Sequence, residues 1–169
     1  MKEKIEPYIM WGIIAFSALI FVVTPAHPAN PSDFALEQFI DNYLFGNGYY
    51  HPEAYPLAAK ATNSVSTILA FFCAVAVSIW KWDWPHNFHQ ATTRHIVQAS
   101  LFSLVLLVFF LWLSMMPQEM YDRSGSKNFL AKPYFQNTPF LFLTGIGLKS
   151  SIIYVFTRYF GIFFSSFRK

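Results

Sequence analysis

Long apolar runs alternate with shorter polar ones along this chain. The clearest run, residues 96–116, reads IVQASLFSLVLLVFFLWLSMM and carries no charge over its twenty-one positions. At about 1.5 Å rise per residue, a helix of that length crosses the roughly 30 Å hydrocarbon core of a bilayer. A helix buried in a soluble protein keeps a polar stripe at a period of about 3.6 residues. Between Leu104 and Leu113 there is none. The pattern predicts a transmembrane helix. Every other apolar run is then a further span, an interfacial helix or a processed signal.

Three more runs read as spans, at about residues 8–24, 61–80 and 139–158. The first is short, so a cleaved signal peptide is its rival. Glu3 and Glu6 before it, and the proline in Thr24-Pro25-Ala26, argue against cleavage. The second run is polar at its start (Thr62, Asn63, Ser64, Ser66, Thr67) and then repeats small residues every fourth position, Ala70, Ala74 and Ser78. Small residues at that spacing let another helix approach closely, either within the same bundle or from a foreign protein. The last run opens at Thr138-Pro139 and contains Lys149 and Arg158, with residues 159–167 expected to lie along the interface. At about 100° per residue, Gly147, Ser151, Tyr154, Arg158 and Gly161 form one stripe, with Lys149 opposite beside Ile152, Phe156 and Phe160. A lysine near mid-membrane costs about 2.5 to 3.5 kcal/mol on insertion scales. Lys149 therefore either points at a cavity or partner or snorkels along the lipid face to the headgroups.

The polar segments complete the layout. Residues 25–60 hold Pro25, Pro28 and Pro31, then SDFALEQFIDNYLF, in which Ser32 or Asp33 can cap a short amphipathic helix with Leu36, Ile40, Tyr43 and Leu44 at helical spacing. Gly46-Asn47-Gly48 is expected to stop that helix, since Gly tolerates a left-handed conformation. Where the second run meets the connector 81–95, Trp80, Trp82 and Trp84 read as an interfacial aromatic belt. His86, His89 and His95 lie in or beside it, but no Cys or acidic ligand joins them, so solvated histidines are the better reading than a metal or haem site. Residues 117–138 form another loop, turning at Asp122-Arg123-Ser124-Gly125. Lys2 and Lys4, then Lys81 and Arg94, then Arg158, Arg168 and Lys169 alternate with an acidic first loop, which places both termini in the cytoplasm. The third loop runs against this rule, with Arg123, Lys127 and Lys132 outnumbering Glu119 and Asp122.

Composition narrows the function classes. With 54% hydrophobic, 20% aromatic and 12% charged residues, the 169 residues make one integral-membrane domain, an all-α bundle of four transmembrane helices. The net charge of +3 sits at the ends of apolar runs rather than in a basic patch, so nucleic acid is not an expected partner. Cys73 is the sole cysteine and can form no internal disulfide. No carboxylate lies within the four spans as drawn, so nothing completes a proton relay, and neither enzyme activity nor cofactor nor metal is expected.

Several strings resemble a known family, the immunity proteins that protect bacteria against pore-forming colicins of the colicin A type. The likeness lies in four spans with a long first loop, in the polar connector leading into TRHIVQAS (residues 93–100), and in Glu119 beyond the third span. It continues with Ser124-Gly125-Ser126 and with IGLKSSIIYVFTRY (residues 146–159). The chain differs from that pattern in its extra prolines and aromatics in the first loop, a longer third loop and Lys149. The resemblance implies a non-enzymatic protein of the bacterial inner membrane that meets the toxin's channel domain within the bilayer and blocks pore opening. On that reading the small faces Ala70, Ala74, Ser78 and Gly147, Ser151, Tyr154 contact the toxin, with Lys149 a further candidate. Self-association stays open. The competing class is an accessory or entry-exclusion-type subunit packed against a larger membrane complex.

Overall fold

Proline marks where helices begin. In the computed structural model, which describes residues 5–46, 52–81, 93–115 and 137–166, Pro31, Pro56 and Pro139 each open a helix. There a missing N–H costs nothing and the fixed φ suits the first turn. The helices are α1 (Ile5–Val23), α2 (Pro31–Tyr43), α3 (Pro56–Trp80), α4 (Thr93–Met115) and α5 (Pro139–Ser166), and the described residues contain no strand. Helices α1, α3, α4 and α5 are long and apolar enough to cross a membrane. The fold is the all-α membrane bundle that the apolar runs predict.

Helices α3 and α5 form its centre. Half of α3's span and 44% of α5's are buried, against 11% of α1's and 17% of α4's. Accordingly α5 packs against α1, α3 and α4 together. The polar start of α3 follows membrane logic, since Thr62, Asn63, Ser64, Ser66 and Thr67 are all turned inward. Interior hydroxyls also close onto their own helices: Ser17, Ser78, Ser103 and Ser150 each donate to the carbonyl four residues back.

Two layers define the ends of the bundle. At one, Phe21, Tyr55 and Phe142 stack with ring centroids 4.9 to 5.6 Å apart, joining α1, α3 and α5. Burial there pushes the Tyr55 phenol up to about 12, so it stays neutral. At the other, Glu6 meets Lys81 and Arg158. We call these the aromatic and charged ends. On the aromatic side α2 lies against α3, with Ile40 buried and Lys60 held by Glu37 at 2.9 Å and Asp41 at 2.8 Å.

Some boundaries differ from the sequence expectation. Helix α3 starts at Pro56 rather than near 61, because Tyr55 packs inward and the Leu57 N–H reaches Ala26 O at 3.1 Å. Helix α5 runs unbroken past Arg158 to Ser166, since Arg158 turns into the bundle instead of marking an interface bend. For α2 the cap is Asn30. Asp33 sits in the first turn, its carboxylate accepting the N–H groups of Ala29 and Asn30 at 3.0 Å each. Gly46 follows α2 for a different reason from the one expected, because the chain folds back so tightly that a Cβ there would strike the Asp41 backbone.

Candidate functional site

The small face of α3 is an internal surface. Ala70 and Ala74 are fully buried in a cluster with Ile13, Leu107, Ile153 and Tyr154, and Ser78 is nearly so. Beside Ser78 stands Gly161 of α5, where a Cβ would run into the serine side chain. The close helix approach that the four-residue spacing predicts is therefore made within the chain, between α3 and α5, which leaves this face covered.

The stripe on α5 divides. Gly147 and Ser151 do not meet α3 but form the floor of a groove of ≈ 790 Å³ between α5 and α1, with Met10, Trp11 and Ile14 on its other wall. Ser151 turns its hydroxyl onto Gly147 O at 2.8 Å, so the floor presents little polarity. Gly147 itself is buried, and a Cβ there would make ordinary van der Waals contact with Ile14 at 3.6 Å or more. Tyr154 borders the groove as well but is 2% exposed, belongs to the buried cluster, and its Oη has no hydrogen-bond partner among the described residues. Glu6 and Arg158 close the groove at the charged end.

Lys149 does not snorkel. It is 2% exposed, and its Nζ donates to Asn63 Oδ1 and to Thr67 Oγ1, the latter at 2.8 Å. The position opposite the small stripe is not a lipid face, because α5 has neighbours on several sides and α3 covers this one. The Asn63 amide donates in turn to Phe45 O at 3.0 Å, and Thr67 Oγ1 to Asn63 O at 2.7 Å. A chain of hydrogen bonds thus runs from the middle of α5 through α3 to the segment after α2. Ser64 Oγ adds a second tie by accepting the Phe45 N–H at 3.2 Å.

Glu6 is the residue that sequence reasoning missed. With α1 beginning at Ile5, it lies in the first helical turn, where Lys81 reaches its Oε1 at 2.7 Å and Arg158 reaches the same oxygen at 3.4 Å. Lys81 and Arg158 are counted by the positive-inside rule as separate charges. Their alternation with helix direction was a usable signal that both face the N-terminal end of α1. Among the described residues no group of three His, Cys, Asp or Glu could hold a metal. His86 and His89 lie outside the described residues, as do Trp82, Trp84 and the turn at 122–125, while His95 is exposed near the start of α4.

These features define a multi-pass helical membrane protein, with an apolar groove between two of its spans and polar contacts locking the others. Comparison with known proteins finds no matching family model, no matching curated protein and no matching solved structure.

Proposed function

We propose that this chain is an immunity protein of the bacterial inner membrane, with both termini cytoplasmic, that binds the channel domain of a pore-forming bacteriocin within the bilayer and prevents pore opening. One observation supports it most: between α1 and α5 lies a groove that is apolar and lined by residues of two membrane spans, Gly147 and Ser151 among them. A hydrophobic helix of a toxin's hairpin fits such a cleft, since small residues permit the close packing on which helix association in lipid depends. Confinement of both partners to one membrane raises their effective concentration. Tighter binding to the closed than to the open channel then holds the toxin closed. Recognition falls to Gly147, Ser151 and the adjoining edge of Tyr154. Ala70, Ala74, Ser78 and Lys149 support the bundle that carries them.

The test is survival of sensitive bacteria expressing this chain against a panel of pore-forming and nuclease colicins. Protection against one or a few pore formers and no nuclease is the expected result. Gly147→Leu, which fills the groove, should cut protection about tenfold or more, the effect of losing roughly 1.4 kcal/mol of binding, with membrane levels unchanged. Protection lost only together with the protein would make Gly147 structural. No protection, combined with stoichiometric co-purification of a host membrane complex, would favour the accessory-subunit reading.

A further inference from the structure

Helix α2 arranges its side chains in an order that water does not favour. Ile40 is its one buried residue, while Leu36, Phe39 and Tyr43 are exposed at 42%, 51% and 75%. At about 100° per residue those three share one flank of the helix, where the Phe39 and Tyr43 rings lie with centroids 5.4 Å apart. Glu37 and Asp41 occupy the other flank and turn to Lys60. Gln38 and Asn42 are exposed on the side away from Ile40.

The chain just after α2 is held deep in the bundle. Phe45 O accepts the Asn63 amide at 3.0 Å, and the same Asn63 side chain accepts from Lys149. On α5, Lys149 stands about 14 Å from Arg158, near the middle of a hydrocarbon core of about 30 Å that has one border at the charged end. On α3, Ser64, which accepts the Phe45 N–H at 3.2 Å, stands about 26 Å from Lys81. Both helices therefore place Phe45 short of the core's opposite border.

Its surroundings agree with that depth. Leu44 and Gly46 both donate their N–H groups to Ile40 O, at 3.0 and 3.3 Å, and Phe45 uses both of its own backbone groups on α3. A helix end in water can leave such groups to the solvent, whereas in lipid they must find protein partners. Phe45 also shares an apolar hollow of ≈ 200 Å³ with Thr67, Ile68, Phe71 and Phe72 of α3 and Leu111 of α4. The apolar surface of two spans thus continues onto the segment that ends α2.

We propose that α2 is an interfacial helix, seated in the leaflet at the aromatic end, with Leu36, Phe39 and Tyr43 among the acyl chains and the Glu37–Lys60–Asp41 flank toward water. Lipid covers the aromatic flank, because the depth of Phe45 puts the end of α2 beside hydrocarbon. An amphipathic helix of this kind buries its apolar face about 5–10 Å into the boundary between headgroups and acyl chains. The proposal is independent of toxin binding and of which side of the membrane the aromatic end faces.

The test uses the full-length chain carrying Cys73→Ala and one nitroxide-labelled cysteine at a time, reconstituted in phosphatidylcholine vesicles. Phe39→Cys and Tyr43→Cys report the apolar flank, Gln38→Cys and Asn42→Cys the polar one, and Phe72→Cys the lipid face of α3. All five positions are exposed, so the labels require no repacking. Power saturation compares collisions with oxygen, which concentrates in lipid, and with a neutral nickel chelate, which stays in water. Labels at 39 and 43 should meet oxygen more than nickel and read a depth of about 5–10 Å. Those at 38 and 42 should meet nickel more than oxygen, and the label at 72 should read deeper than all four. Nickel-dominated collisions at 39 and 43 would place α2 in water and overturn the proposal. Equal ratios at 38, 39, 42 and 43, or a label at 72 no deeper than those on α2, would also overturn it. Dipolar broadening between labels at 39 would do the same by assigning the flank to a second copy of the chain.

Discussion

A lysine at mid-membrane has to be compensated by its immediate neighbours. Lys149 is compensated by Asn63 and Thr67, which stand 86 and 82 positions earlier in the chain. The three groups are unequal. Replacing Lys149 by Met leaves the Asn63 carbonyl oxygen short of a donor, a loss of about 1–3 kcal/mol. Asn63→Leu removes an acceptor from the buried Lys149 amine and releases Phe45 O as well, and with two buried groups affected the cost rises to about 2–6 kcal/mol. The double variant should lose less than the two together, because the apolar pair removes the donor and its acceptor at once. Unfolding of all four proteins in detergent measures the coupling, and additive losses would show that the bond contributes nothing. Lys149 was legible in the sequence as an expensive residue. Its partners were not, because a polar patch at the start of an apolar run reads equally well as an interface.

At the scale of elements, the glycines report how closely helices approach. Gly161→Ala places a methyl group against Ser78 where α3 meets α5, and overpacking there should cost about 1–3 kcal/mol. Gly147→Ala meets only ordinary contact with Ile14 and should be nearly neutral, while Gly12 has nothing within reach and its change to Ala should stabilise α1 by about 0.5–1 kcal/mol. Thermal unfolding of the three variants tests that order. A Gly147→Ala variant as unstable as Gly161→Ala would mean that the groove is closed. Helix α2 depends on fewer contacts, chiefly Ile40 and the two bonds to Lys60. Lys60→Met should leave the four spans intact, since both of its ion pairs join α3 to α2 and not to another span. It should speed amide exchange selectively over residues 31–43. Exchange that accelerated equally in α3 would show that Lys60 holds the bundle and not α2. The four-residue repeat on α3 announced a close helix crossing correctly, but spacing carries no address, and the neighbour proved to be α5 of the same chain.

For the whole molecule, the charged end carries the orientation proposed above. Lys81 and Arg158 converge on Glu6 at one face of the bundle, and cations of this kind are retained on the cytoplasmic side during insertion. A fluorescent protein fused at the C-terminus should therefore fluoresce, and alkaline phosphatase at the same point should stay inactive. The reverse pair of results would invert the proposed topology and put the groove's charged mouth on the opposite side of the membrane. The Glu6 node also makes the bundle more than a set of parallel spans, since one carboxylate ties the beginning of α1, the end of α3 and the last third of α5.

Sequence alone determined the number of spans, the helical class and the approximate limits of each helix. Those are one-dimensional properties: a bilayer demands an uninterrupted apolar length, and prolines and capping residues act on their own turn. It also identified which positions on α3 and α5 were small enough to pack. Tertiary structure decided which helix each face meets, that Lys149 binds α3, that Glu6 gathers two distant cations, and that a groove lies between α1 and α5. Those outcomes depend on the rotation of each helix against its neighbours. In lipid, apolar surface is nearly indifferent to rotation, and the choice passes to a few polar contacts and small-residue crossings made between residues far apart in the chain.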